Sequence, residues 1–171
     1  MDENTKTQII VLVIGILIGA GMALSNSLFL WNTTVSKDRG DIAEGLYLDV
    51  SSIGGDLVTT DREFLANPGD KYIFVEATPL YPDNGLYFSY QRDIPKLDRK
   101  IAEDTFTFYN HLLVAEKDRS LIFDIQRIGD ARDLTSAEMR RQQILTRDAA
   151  QEVNISVSLL PALKQELDKA T

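Results

Sequence analysis

The chain opens on an unbroken apolar run. Residues 9–31, IIVLVIGILIGAGMALSNSLFLW, hold no charged side chain, and the plainly polar Ser25, Asn26 and Ser27 sit together near one end. A soluble helix needs polar residues recurring at helical spacing for its outer face. An all-apolar helix of this length reaches about 34 Å, slightly more than the hydrocarbon core of a bilayer. Trp31 stands at the edge of the run, where an indole suits the headgroup region. The pattern predicts one transmembrane helix over 9–31, behind a tail of residues 1–8 and ahead of a polar connector, 32–41. This expectation makes membrane lipid a partner. A cleaved secretory signal competes with it, since residues 9–24 are near the upper length of such a segment and Ala23-Leu24-Ser25 has a cleavage-like spacing. The flanks favour the anchor: Asp2 and Glu3 outnumber Lys6 before the run, and Leu28-Phe29-Leu30-Trp31 carries it past the cut.

Beyond the connector, apolar residues fall into two rows seven apart, Leu46, Ile53 and Thr60 in one and Val50, Leu57 and Phe64 in the other. Such rows draw a single stripe down a helix and predict one over 41–66. Gly45 and the Gly54-Gly55 pair each cost about 1 kcal/mol against alanine there, so a hairpin turned at Gly54-Gly55 is the alternative. Asn67-Pro68-Gly69-Asp70 ends the element with turn residues, and TPLYPDNG, from Thr78 to Gly85, forms a second turn cluster. Between them KYIFVEA reads as a short strand or an extended packed segment.

Asp93 and Pro95 suit the start of the next helix, placed at 94–127, whose apolar residues Leu97, Ile101, Phe108, Leu112, Ala115 and Ile122 step by three, four or seven. Gly129 lies where a glycine stops a helix. Thr135-Ser136-Ala137-Glu138 matches a capping box and opens a last helix with Met139, Leu145, Ala149, Val153, Leu160, Leu163 and Leu167 on one face. Pro161 implies a kink or a fresh start within it, and Val153, Ile155, Val157 and Leu159 alternate locally. The whole predicts an all-α protein: an N-terminal transmembrane helix, then a small antiparallel bundle with an aromatic-rich connection and one short strand at most.

Charge narrows the partners. The net is −8, and setting aside Asp2, Glu3 and Lys6 leaves residues 32–171 with 17 basic and 24 acidic side chains, a net of −7. Bulk charge therefore repels nucleic acid and anionic lipid. The arginines at 127, 132, 140, 141 and 147 are matched by Asp124, Asp130, Asp133, Glu138 and Asp148, so they make a solvated turn and no basic patch. Lys6 before the apolar run and Lys37 and Arg39 after it give the positive-inside rule nothing to act on. The habit of single N-terminal anchors then leans the acidic domain, 42–171, outside the cytoplasm. Cysteine is absent, which removes disulfides and thiol chemistry.

Candidate chemistry is sparse. Gly15, Gly19 and Ala23 give the apolar helix a small-residue face through which a homodimer would pack. His111, the only histidine, lies five residues from Glu116 and seven from Asp104, whereas a helical ligand pair prefers three or four, so a packed histidine is the better reading. In AEKDRS, Glu116 stands three residues from Arg119 and four from Ser120, the spacing of an intrahelical pair. No nucleophile with a base, phosphate loop or dinucleotide fingerprint is present, and neighbouring acids such as Glu103 and Asp104 point to different helix faces. These absences predict no enzyme, no cofactor and no metal. The aromatic group Tyr72, Phe74, Tyr81, Tyr87, Phe88 and Tyr90 remains. Tyr81, Tyr87, Phe88 and Tyr90 are candidate contacts for a protein partner, against the plainer reading in which they plug the end of the bundle. The expectation is a membrane-anchored binding or scaffold module with no chemistry of its own, the alternative being a membrane-tethered bundle that senses a small ligand.

Overall fold

The computed structural model describes the backbone of residues 3–70, 72–76, 79–82 and 84–171, and side chains from residue 35 onward within those ranges except Val75 and Glu76; before them only Ser25 is described. Five helices are present, α1 (Glu3–Ala66), α2 (Tyr72–Glu76), α3 (Leu86–Tyr90), α4 (Arg99–Ala131) and α5 (Ser136–Ala170), with a 3₁₀ turn at Ile94–Lys96 and no strand among the described residues. The chain divides into two compact units, residues 1–39 and 40–171. The first holds the N-terminal part of α1, on which Ser25 is exposed.

Among the described residues no helix is long and apolar enough to cross a membrane. The expectation of a single-pass membrane protein, spanning through 9–31 with its domain outside the cytoplasm, is corrected accordingly. The helix that holds this run does not end at Trp31 but continues through the expected connector, past Lys37, Asp38, Arg39 and Asp41, to Ala66. The side chains of Gly15, Gly19 and Ala23, on which the homodimer contact was placed, lie outside the described residues.

In the second unit the two rows read from α1 are the packed face: Leu46, Val50, Leu57 and Thr60 are buried, and Ile53 and Phe64 pack half-buried against the same core. The hairpin alternative is not taken: Gly54 and Gly55 both lie inside α1. A Cβ on Gly54 would meet Leu160 of α5 at 3.5 Å, and one on Gly45 would stand 2.5 Å from the Tyr90 ring. Close approach of the Tyr90 ring thus accounts for Gly45, whereas a methyl at Gly54 would make only ordinary contact and one at Gly55 would meet nothing.

α4 and α5 pack along one another, and the six apolar residues predicted for α4 are all buried. Its start is later than predicted: Asp93 and Pro95 form the 3₁₀ turn, Asp93 paired with Lys96 at 2.7 Å, and the helix begins at Arg99. Its end is also later. Gly129 lies inside α4, where the absent side chain makes room for Leu134 to fold back, a Cβ there falling 3.2 Å from it. The capping box forms as read, with the Thr135 hydroxyl accepting from the Glu138 N–H and the Glu138 carboxylate accepting from the Thr135 N–H at 2.8 Å. α5 runs through Pro161 as one helix, with Pro161 exposed, and Ala149, Val153, Leu160, Leu163 and Leu167 line its buried face. Met139 does not join them and is 47% exposed. The expected strand at KYIFVEA is instead α2, packed on α4 with Phe74 buried, so one anchoring aromatic and helical packing override the β propensity.

Candidate functional site

One acid sits on the apolar stripe of α1. Asp49, three residues from Leu46 and eight from Leu57, shares their inward face and is 6% exposed. A carboxyl so placed is costly unless hydrogen-bonded. The Tyr81 hydroxyl donates to Asp49 Oδ2 at 2.6 Å, and the Tyr109 hydroxyl from α4 donates to the same oxygen at 2.7 Å. Tyr81 in turn accepts from the Tyr87 backbone N–H at 2.8 Å. Tyr87 stacks on Tyr109 with ring centroids 4.1 Å apart, and Tyr81 meets the edge of Tyr109 at 5.5 Å.

The connection between α1 and α4 is therefore tied to the core through a chain of polar contacts that strengthen one another in a low dielectric. Burial first, and then the bond to Asp49, push the Tyr81 and Tyr109 hydroxyls above the ordinary phenol range. Burial raises Tyr87 as well, against an opposing bond from Gln91. Gly85 completes the arrangement, since a Cβ there would overlap the Tyr81 ring.

A second tie lies beside the first. The Leu80 N–H donates to Glu116 Oε2 at 2.7 Å, and Arg119 clamps the same carboxylate through Nε at 2.8 Å and Nη2 at 2.7 Å. The pair spaced three apart in AEKDRS is thus present, and it holds a loop as well as a helix. Between the connection and α4 opens a cleft of about 710 Å³. Pro79, Tyr81 and Pro82 form one wall, Leu113 and Leu121 the other, with Asn84, Lys117 and Ser120 also facing it.

The four aromatic candidates separate on this frame. Tyr81 and Tyr87 are 2% and 5% exposed and serve the core. Phe88 is 42% exposed, packed edgewise on Tyr87 at 5.6 Å, and Tyr90 is half-buried against Gly45. Sequence reasoning missed Asp49 and Tyr109. The signal for Asp49 was a lone acid in register with an apolar stripe; for Tyr109 it was an aromatic between buried positions of α4.

His111 pairs with neither Glu116 nor Asp104. Its Nδ1 lies 2.5 Å from Glu152 Oε2 on α5, so it links α4 to α5, while Asp104 pairs with Lys100 at 3.0 Å. Near this link burial, and then the charges of Asp148 and Glu152, raise the Asp118 carboxyl above its ordinary range. Among the described residues no group of three or more metal-ligating side chains is arranged to hold an ion. No protein-family model, curated protein or solved structure matches the chain.

Proposed function

We propose that residues 40–171 form a binding module that recognises another polypeptide through the cleft between the connection and α4, with no chemistry of its own. The observation that carries this reading is the fixed wall of the cleft: Tyr81 is held by Asp49 and Leu80 by Glu116, so the surface is organised before a partner arrives. Preorganisation spares the ordering cost that a mobile loop would charge against affinity. Among the described residues the one carboxylate facing the cleft, Glu116, is occupied by Arg119 and Leu80, which leaves it unsuited to proton transfer.

A photocrosslinking side chain at Asn84 or at Ser120, with an exposed control at Asp168, tests the reading. An adduct of one defined mass at Asn84 and Ser120 and none at Asp168 is expected; equal adducts at all three positions, or none, would contradict it. A second reading, a small-ligand sensor, is favoured by the volume, which falls in the range of small-molecule sites. It predicts a ligand-dependent rise in Tm from a metabolite panel with no protein adduct at either position.

A further inference from the structure

The charges around the cleft define what it would accept. Among the described residues three charged side chains face it: Glu116, Lys117 and Arg119. Glu116 is spent, its oxygens accepting from Arg119 and from the Leu80 N–H. Arg119 has given two of its N–H groups to that carboxylate and retains three, in a plane that the two-point clamp fixes. Lys117 is exposed and forms no salt bridge with a described residue. Among the described residues two cations against one carboxylate leave a single positive charge, and the Ser120 hydroxyl and Asn84 amide add further donors. The complement is one negative charge with hydrogen-bond acceptors on it. Pro79, Pro82, Leu113 and Leu121 then require an apolar body behind that charge.

Length distinguishes a chain from a small acid. Leu113 to Leu121 covers about 12 Å of helix at 1.5 Å per residue, which matches about three to four extended residues at 3.3 Å each. We infer that the cleft receives the C-terminus of a partner polypeptide, with Lys117 and Arg119 taking the free carboxylate and the two apolar walls taking its last side chains. The inference rests on the reading of this cleft as the recognition site. Capture of a terminal carboxylate is an established mode of peptide recognition, and here it would use side chains held in place by the connection.

The test is calorimetric titration of the full chain with the tripeptide Ala-Leu-Phe, its C-terminal amide and 3-phenylpropionate. Saturable binding of the free peptide is expected, with the amide at least about tenfold weaker, the loss expected for a charge-assisted bond. The small acid, which leaves most of the groove empty, is expected to be weaker by a similar factor. Lys117→Met should weaken the free peptide about tenfold and leave the amide unchanged, and Lys117→Arg should restore it. Because Lys117 is exposed, the far-UV spectrum should not change.

Equal affinity for peptide and amide, no saturable binding of either, or wild-type affinity in Lys117→Met would overturn the inference. Binding of 3-phenylpropionate as tight as that of the peptide would also overturn it, in favour of a free acid. Failure here together with position-specific adducts at Asn84 and Ser120 would remove the carboxylate while leaving the binding module standing.

Discussion

Replacing Asp49 is the perturbation with the largest consequence for the connection. Asp49→Ala removes the acceptor of two buried hydroxyls at 2.6 and 2.7 Å. Bonds of this charge-assisted kind contribute about 1.5–3 kcal/mol each, and a buried hydroxyl left unpaired costs about 1–3 kcal/mol. Removing the carboxyl also relieves its own desolvation, which offsets part of the loss. Tyr81 keeps one partner, since it still accepts from the Tyr87 N–H, whereas Tyr109 loses the acceptor of its hydroxyl. We therefore expect a net loss of about 3 kcal/mol, or a fall in Tm of about 10 °C for a unit of this size. Asp49→Asn, whose amide oxygen can still accept both hydroxyls but without the charge, should lose about 1–2 kcal/mol. Urea unfolding followed by far-UV circular dichroism measures both. A double-mutant cycle with Tyr109→Phe should return a coupling of about 1–2 kcal/mol. A loss in Asp49→Ala within about 0.5 kcal/mol of wild type, the usual range of a surface change, would refute the reasoning.

Gly85→Ala should cost about 2–3 kcal/mol in urea unfolding, because its Cβ would overlap a Tyr81 ring that Asp49 and Tyr109 hold in place, so the ring cannot swing away cheaply. Gly55→Ala should act in the opposite direction and add about 0.5–1 kcal/mol, since nothing lies within 4 Å of the new methyl and the site is an exposed helix interior. The raised phenols predict an alkaline transition: Tyr81, Tyr87 and Tyr109 are neutral in the fold above the value of 10.0 at which they ionise once unfolded, so stability is complete below that pH and is lost as pH rises beyond it. Absorbance at the phenolate band should show these three titrating together with loss of helicity. At acid pH the sign reverses. The Arg132 guanidinium and then the Thr135 N–H and hydroxyl hold Glu138 down to about 2, so the cap is present above 4.5 and is lost as pH falls toward that value. Glu138→Gln should flatten the pH dependence of amide exchange in the first turn of α5 across that window.

Helix patterning was the legible part of the sequence. The rows on α1, the face of α4 and the capping box all arise from contacts within one helix, whose period the sequence displays directly. The placements that escaped depend on contacts distant in sequence. α2 is helical where its residues favour a strand, and the packing of α2 on α4 together with the buried Phe74, its ring 6.1 Å from that of Phe64 on α1, accounts for that. Gly129 reads as a stop until Leu134 is seen folded against it. The apolar run of 9–31 carried the membrane expectation, yet its helix extends into charged sequence as far as Ala66. The site was half legible. Tyr81 and Tyr87 stood out as aromatics on a turn-rich connection, but the acceptor of the Tyr81 hydroxyl lies 32 residues away on α1, and Tyr109 reaches it from 60 residues away. Glu116 and Arg119 showed the right spacing for a pair; that the pair also receives the Leu80 N–H, 36 residues distant, follows only from the fold.

Asp49 and Glu116 fix the connection in place, and two backbone amides report on it. The Leu80 and Tyr87 N–H groups donate to side chains, Glu116 and the Tyr81 hydroxyl, and not to a helical carbonyl. Residue-resolved hydrogen exchange on the unliganded chain is the most direct measurement. Both amides should be protected at least about a hundredfold over the unfolded rate, and Asp49→Ala should release Tyr87 while the amides of α4 stay slow. Exchange of Leu80 and Tyr87 at unfolded rates in the wild type would mean that the wall of the cleft is not held, and the binding surface built on it would fall.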